Sequence, residues 1–393
     1  MVYRRSRTNI RKPMRRRATR SRRPSTRRRT VRRTSTRSKA CVCPGPPSPG
    51  AKFAFAQIDP FHTLATGAKI PDSNTIPSVS NTDVDIVTVQ NASNAAWFAA
   101  VAFRPQYRGG VVTGSPTVGG VTWGVNYADN ISNRSKYNLY TAQIELTRPV
   151  AHAIRMTSPV APTTATGFVH IGLATEALTT GSWDYPANPS EMANLQFYRR
   201  VTLASLTQSP LTVINKWLDD TGFRYSSSTQ SLTNNGAAGA LADPQWISFN
   251  TDYGWASIII MLEGTPGTVA NVLSVEHLLI TEGIPKRTGV LIGTQAAASS
   301  PGIMSAVNHV SVNSEPFHNE AEQQGYVGGL LNTLADGAME AGAHVYQEVV
   351  VPLAARAGRV AMSTAGQMAM NAVMGRGGLP GVNSNPNRLA LQH

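Results

Sequence analysis

The sequence predicts an all-β fold, an eight-stranded antiparallel jelly roll or a related two-sheet sandwich, with a basic arm before it and a helical C-terminal region after it. Three observations predict this. Short apolar or alternating runs recur from residue 52 to residue 287, separated by clusters of Pro, Gly, Asn, Ser and Thr. Proline stands in many of the connections, and no helical pattern recurs between the runs, which argues against βαβ units. The positive charge is confined to one end of the chain.

The charge divides the 393 residues unevenly. The chain carries 36 Lys+Arg against 22 Asp+Glu, a formal +14. Residues 1–40 hold 18 of the basic residues and none of the acidic ones, so the remainder carries 18 basic against 22 acidic, or −4. Segregated charge of this kind marks an interaction arm, whereas a folded basic face would spread it over a surface. The arm has almost nothing apolar to bury, so it does not fold alone. Arginine dominates, and its planar fork suits phosphate oxygens. No aromatic residue follows Tyr3 within the arm, so base stacking is not expected and the arm neutralises backbone without reading sequence. Arg15, Arg16, Arg17, Arg27, Arg28, Arg29, Arg32 and Arg33 represent the expected nucleic-acid contacts. A nuclear import signal is the competing use, but it needs only about five to eight basic residues.

Residues 41–51, CVCPGPPSPGA, read as a Pro/Gly linker. The two Cys, at 41 and 43, exclude a disulfide framework and lack a second ligand pair for zinc. No apolar h-region follows the charged N-terminus and no long apolar run suits a membrane span.

The body, residues 52–287, contains eight strand candidates: Asp83–Gln90, Ala96–Phe103, Ala151–Ser158, Gly167–Thr175, Arg200–Leu206, Leu211–Lys216, Trp255–Glu263 and Val272–Thr281. In the first, Val84 and Ile86 face one way and Asp83, Asp85 and Val87 the other. The last two are nearly continuous apolar runs, suiting strands covered on both faces. One short helix is expected at Ser190–Tyr198, with Ser190 as its cap. Residues 288–316 are small and polar. Residues 319–374 are helix-compatible, with one stripe at Tyr326, Leu330, Leu334, Gly337 and Ala338 and another at Val345, Val349, Leu353 and Ala357. Their glycines make these helices marginal alone. The C-terminal extension is therefore set at 288–374 and a flexible tail at 375–393.

No enzyme signature is present: there is no Walker A loop, no nucleophile elbow and no H-E-x-x-H. The eight His lack ligand spacing, and His152, His170 and His277 sit inside strand candidates, where a structural role is expected. Two carboxylate pairs, Asp83/Asp85 and Asp219/Asp220, read either as solvated loop acids or as ligands for Ca²⁺ between subunits.

Specific residues carry a resemblance. Lys52–Phe61, of the form K-x-A-F-A-x-x-D-x-F, is followed by Gly67–Asp72, G-x-x-I-P-D. Together they resemble the segment that opens the shell domain of insect nodavirus coat proteins. Gly254-Trp255, the strand Ile258–Leu262, Gly264-Thr265-Pro266-Gly267, the strand Leu273–Thr281 and Glu282-Gly283-Ile284-Pro285 look like the last two strands of the same domain. Between these anchors only strand order is shared. The coat proteins of bacilladnaviruses, diatom-infecting single-stranded DNA viruses similar to nodaviruses in their coats, fit equally well.

The resemblance implies a jelly roll of the viral capsid type. It implies copies assembled into an icosahedral, T=3-like shell around a single-stranded RNA or DNA genome held by the arm. It places the protein in the virion, with assembly in the host nucleus for a DNA genome or the cytoplasm for RNA. The host receptor is not legible in the sequence. The resemblance also implies an autocatalytic maturation step, in which a buried Asp promotes attack by an Asn side chain on its own carbonyl at an Asn-Ala bond. Asp59 matches that Asp by motif, and Asn371-Ala372 is the one Asn-Ala bond in the C-terminal region. Beside Pro60, Asp59 also reads as a structural turn residue. The Ala/Gly/Met-rich region after Asn319 resembles a membrane-active tail in composition. Its stripes lack the Lys/Arg-rich polar face of an interfacial helix, which favours interior packing. A cellular nucleic-acid-condensing protein with a protamine-like tail is the competing class, and a glycan-binding sandwich leaves the arm unexplained.

Overall fold

The computed structural model describes residues 48–90, 99–107, 109–117, 120–123, 131–132, 134–174, 178–179, 182–183, 185–227, 254–266, 271–319 and 333–335. All described residues belong to one unit, Pro44–His393.

The described strands are β1 (Val79–Val89), β2 (Ala99–Phe103), β3 (Val111–Thr117), β4 (Gly120–Trp123), β5 (Ile131–Ser132), β6 (Ile144–Thr157), β7 (Phe168–Ala174), β8 (Leu178–Thr179), β9 (Ser182–Trp183), β10 (Phe197–Thr202), β11 (Leu211–Ile214), β12 (Ser226–Ser227), β13 (Ser257–Glu263), β14 (Leu273–Pro285) and β15 (Phe317–Asn319). The helices are α1 (Pro49–Ala56), α2 (Tyr137–Gln143), α3 (Pro189–Met192), α4 (Leu203–Gln208) and α5 (Pro301–Asn313).

Each of the eight expected strands is present, as β1, β2, β6, β7, β10, β11, β13 and β14. One sheet runs β1-β14-β6-β11-β15 and the other β10-β7-β13-β2-β3-β4. Ranked in chain order, the eight pair first with eighth (β1–β14), second with seventh (β2–β13), third with sixth (β6–β11) and fourth with fifth (β7–β10), all antiparallel. That is the pairing of one long hairpin rolled on itself, a jelly-roll-like β-sandwich.

The interior lies between the sheets. Ile154 and Met156 of β6, Leu273 and Val275 of β14 and Leu211 and Val213 of β11 meet Val101, Phe103, Ile171, Ile258 and Ile260 of the other sheet. β13 is buried on both faces as expected: Ile258, Ile260 and Leu262 point inward, while Ile259 and Met261 join a second cluster with Trp123, Tyr185 and Met192.

The outer face of the β1-β14-β6 sheet carries a helical layer. Ser48 caps α1 by accepting from the Ala51 N–H, with Pro49 at the first helical position. Residues 49–51, read from sequence as the end of the linker, thus begin this helix. Ser300 caps α5 in the same manner, again followed by Pro. α5 buries Ile303, Ala306, Val307 and Val310, the spacing of one helical face. These residues, with Phe53 and Phe55 of α1, pack over Ala151, Leu278 and Ile280 of the sheet. Leu334 and Ala335 join the same cluster.

Some expectations are corrected. The helix expected at Ser190–Tyr198 is a single turn, α3, because the cap is Asn188, whose Oδ1 accepts from the Glu191 N–H; Phe197 and Tyr198 already belong to β10. The strand expected at Arg200–Leu206 ends at Thr202, whose hydroxyl caps α4. α5 stands where only small polar sequence was read. Of the C-terminal stripes, Leu334 alone lies within the described residues, in a helical stretch and fully buried.

Candidate functional site

The two segments singled out in the sequence, Gly67–Asp72 and Glu282–Pro285, meet at one buried carboxylate. Glu282 is fully buried near the end of β14. It accepts from the Ile70 N–H at 3.2 Å, from the Ser78 hydroxyl, and from Arg148 through Nε at 3.0 Å and Nη2 at 2.7 Å. Arg148 also holds Asp72 and donates to the Phe223 carbonyl, with its guanidinium over the Tyr225 ring. Lys69, from the same segment as Ile70, donates to the carbonyls of Ser78, Thr294 and Gln295 and to the Thr294 hydroxyl. Two cations thus meet two anions, of which Glu282 is fully buried and Asp72 partly exposed. Burial pushes the Lys69 pKa down against the pull of Glu282. At Arg148 burial also disfavours the charge, but the hydrogen bond to Asp72 and the field of Glu282 outweigh it and its pKa rises. Gly283 is required here, since a Cβ would stand 2.7 Å from the Tyr140 hydroxyl and 2.8 Å from Ile144. The cluster offers no free nucleophile or open ligand position. It ties the chain that follows α1 to β14.

A second ionic cluster holds one of the two carboxylate pairs considered for calcium, Asp83/Asp85. Asp83 is fully buried on the inner side of β1. Arg134 Nε donates to it at 3.0 Å, and Lys136 Nζ lies 2.6 Å from its other oxygen. Arg134 also donates to the Asp83 and His277 carbonyls at 2.9 and 2.7 Å. Asp85 receives the Ser135 N–H and hydroxyl. These acids are not solvated loop groups, and an ion on them would compete with Arg134 and Lys136. Asp219 is exposed in the turn before residues 220–223, and the Asp220 side chain lies outside the described residues. Among the described residues no group of three or more His, Cys, Asp or Glu is placed to hold a metal ion.

A third cluster is apolar in setting and polar in content. His152 of β6 and His277 of β14 lie in the sandwich interior with Nε2 atoms 2.8 Å apart. Asn215 donates to His152 Nδ1 at 2.8 Å and to the Ala256 carbonyl at 2.7 Å. Phe103 packs edge-on against His277. Burial drives both imidazoles well below the usual pKa, and Arg134 adds to this at each; at His277 the neighbouring His152 adds more and a backbone hydrogen bond at Arg104 opposes it. His170 bonds to the Tyr198 hydroxyl and the Glu263 carboxylate, each at 2.8 Å. The three strand histidines are thus hydrogen-bonded interior groups, as expected. Sequence spacing could not show that two of them pair.

Asp59 follows α1 and is 5% exposed; its N–H donates to the Phe55 carbonyl and its carbonyl accepts from the His62 N–H. Asn371, Ala372 and the arm arginines Arg15, Arg16, Arg17, Arg27, Arg28, Arg29, Arg32 and Arg33 lie outside the described residues. Among the described residues no helix is long and apolar enough to cross a membrane.

No protein-family model matches this chain. No curated protein matches it either. Among solved structures, the VP2 subviral particle of infectious bursal disease virus is similar at TM-score 0.47 and 11% identity, over 71% of this chain and 99% of that one. Cocksfoot mottle virus gives 0.32 and 10%, over 56% and 97%. Tobacco necrosis virus gives 0.32 and 13%, over 53% and 97%. At this distance the likeness carries no argument about what this chain does.

Proposed function

We propose that this chain is a viral coat protein. Copies assemble through the jelly-roll sandwich into a closed icosahedral, T=3-like shell, and the arginine arm packages a single-stranded genome inside it. The observation that carries this reading is a polarity within one chain. The N-terminal segment enters the sandwich through α1, and Leu334 and Ala335 from the C-terminal region pack into the same cluster on the same outer sheet face. In the chain, α1 is preceded by a segment that bears 18 basic and no acidic residues in its first 40 positions. In the proposed shell the arms occupy the enclosed volume and the −4 remainder forms the wall. Cationic arms would bind phosphate with a salt slope of roughly 0.7–0.9 log units per contact, without base preference.

The test is electron microscopy of the expressed full chain beside a chain lacking residues 1–40. Uniform closed particles from the full chain, with nucleic acid protected from nuclease, are expected; the truncated chain gives empty particles or none. Absence of shells from both chains overturns the reading, and discrete complexes on nucleic acid would favour a condensing protein. The nuclease that degrades the released contents distinguishes RNA from DNA. Intact-mass analysis of particles tests cleavage at Asn371-Ala372, and only full-length chain would exclude it.

A further inference from the structure

Asn215, His152 and His277 form a directed hydrogen-bond chain through the sandwich interior. Its direction follows from the donors. Asn215 Oδ1 accepts from the Lys216 N–H at 2.9 Å, so its Nδ2 faces His152 and the Ala256 carbonyl. His152 Nδ1 is then an acceptor, and its proton sits on Nε2. That proton is donated to His277 Nε2, which leaves His277 protonated on Nδ1.

We propose that the His152–His277 pair is an acid-sensitive fastener between adjacent strands of the sandwich: each ring's only acceptor nitrogen already receives a hydrogen bond, so a proton taken up at either ring breaks a link and leaves a cation in the core. A proton arriving at His152 Nδ1 meets the Asn215 amide hydrogens. One arriving at His277 Nε2 meets the His152 N–H.

The surroundings offer little relief. Arg134 reaches the His277 carbonyl and is itself neutralised by Asp83, with Asp85 3.6 Å away and Lys136 on the far oxygen of Asp83. Arg104, from the end of β2, is buried beside His277, and the stacked Tyr107 and Tyr140 lie beyond Leu279. Asp83 and Asp85 are committed to Arg134, Lys136 and Ser135 and do not turn to the imidazoles. Phe103 closes the other side. The depressed pKa of both rings agrees with this geometry.

The sign follows from linkage. The unfolded chain takes up two protons as pH falls below about 6.5, and the folded pair refuses them, so stability is complete above that value and declines below it. Each histidine raises the unfolding constant about tenfold by pH 5.5, and the pair about a hundredfold. The pair lies inside one chain, so its effect holds whether or not copies assemble.

The experiment compares urea unfolding of the full-length chain with that of the double variant His152→Gln, His277→Gln, at pH 7.5 and 5.5. Between these values the unfolding constant of the parent should rise about a hundredfold more than that of the variant. Equal pH dependence overturns the proposal. A variant that fails to fold leaves a direct measurement on the parent, ¹⁵N NMR of histidine-labelled full-length chain. It should show His152 protonated on Nε2 and His277 on Nδ1, both neutral at pH 5.5. Ordinary titration near pH 6.5, or the opposite tautomers, overturns it.

Discussion

Glu282 accepts a hydrogen bond from the backbone N–H of Ile70, 212 residues earlier, at 3.2 Å and out of contact with water. The bond joins the segment that enters the sandwich to the strand that closes it. Glu282→Ala would leave Arg148 buried with Asp72 as its remaining carboxylate and free the Ile70 N–H. The expected loss is about 3–5 kcal/mol, measured by urea unfolding. The apolar double replacement Glu282→Leu, Arg148→Met should recover much of that loss, because the desolvation of both charges disappears with them.

Two isoleucines in strands should behave oppositely. Ile260 is fully buried in β13, and Ile260→Ala should cost about 2–5 kcal/mol by opening a cavity. Ile86 is 70% exposed on β1, and Ile86→Ala should stay within about 0.5 kcal/mol. Thermal unfolding of both variants at one pH decides this.

Gly167 has φ +88°, and a Cβ there would lie 2.4 Å from the Glu263 carbonyl oxygen and 2.5 Å from the Gly264 carbonyl carbon. Gly167→Ala meets strain and collision together, so a loss of at least about 2 kcal/mol is expected. The shift in urea midpoint at constant slope measures it.

His318 supplies a separable pH effect. Burial, with Arg155 and Arg199 adding, pushes its pKa down to about 4. An unfolded chain protonates this group near pH 6.5 and the folded chain only near 4, so its contribution is lost as pH falls through that window. His318→Gln should flatten the stability curve there by close to one proton, read from unfolding midpoints at half-unit intervals.

Removing residues 1–40 changes the formal charge from +14 to −4. The truncated chain should lose measurable affinity for single-stranded nucleic acid while keeping its unfolding transition. Affinity of the full chain should fall steeply with salt and depend little on sequence. Fluorescence anisotropy with labelled RNA and DNA oligonucleotides over a salt series checks both halves.

The eight expected strands were legible because each contains a short apolar or alternating run with turn residues at its ends, and that local signal survives folding. β13 was the clearest, since Ser257–Glu263 has no polar face to misassign. α5 was not legible: Ile303, Ala306, Val307 and Val310 are spaced correctly, but Ser, Asn and His between them resemble a loop. The ionic clusters were beyond reach for another reason. Glu282 showed a local signal, an acid closing an apolar run, yet its partners Ile70, Asp72 and Arg148 are identified only by the sheet that gathers them. Arg134 stands in a stretch without pattern, and nothing nearby announces that it will neutralise Asp83.

β1 alternates in a way that inverts the usual rule. Asp83 points inward and is fully buried, while Val84 and Ile86 point outward at 44% and 70% exposure. A slip of one residue against β14 would bury both aliphatics, but it would turn Val87 and Val89 out of the interior and release the acid, so hydrophobicity alone does not choose the alignment. Arg134, 51 positions further along the chain, meets Asp83 in the native one. The opening strand of the sandwich therefore draws its register from segments synthesised after it, Arg134 and its partner β14, and its docking should be among the late events of folding.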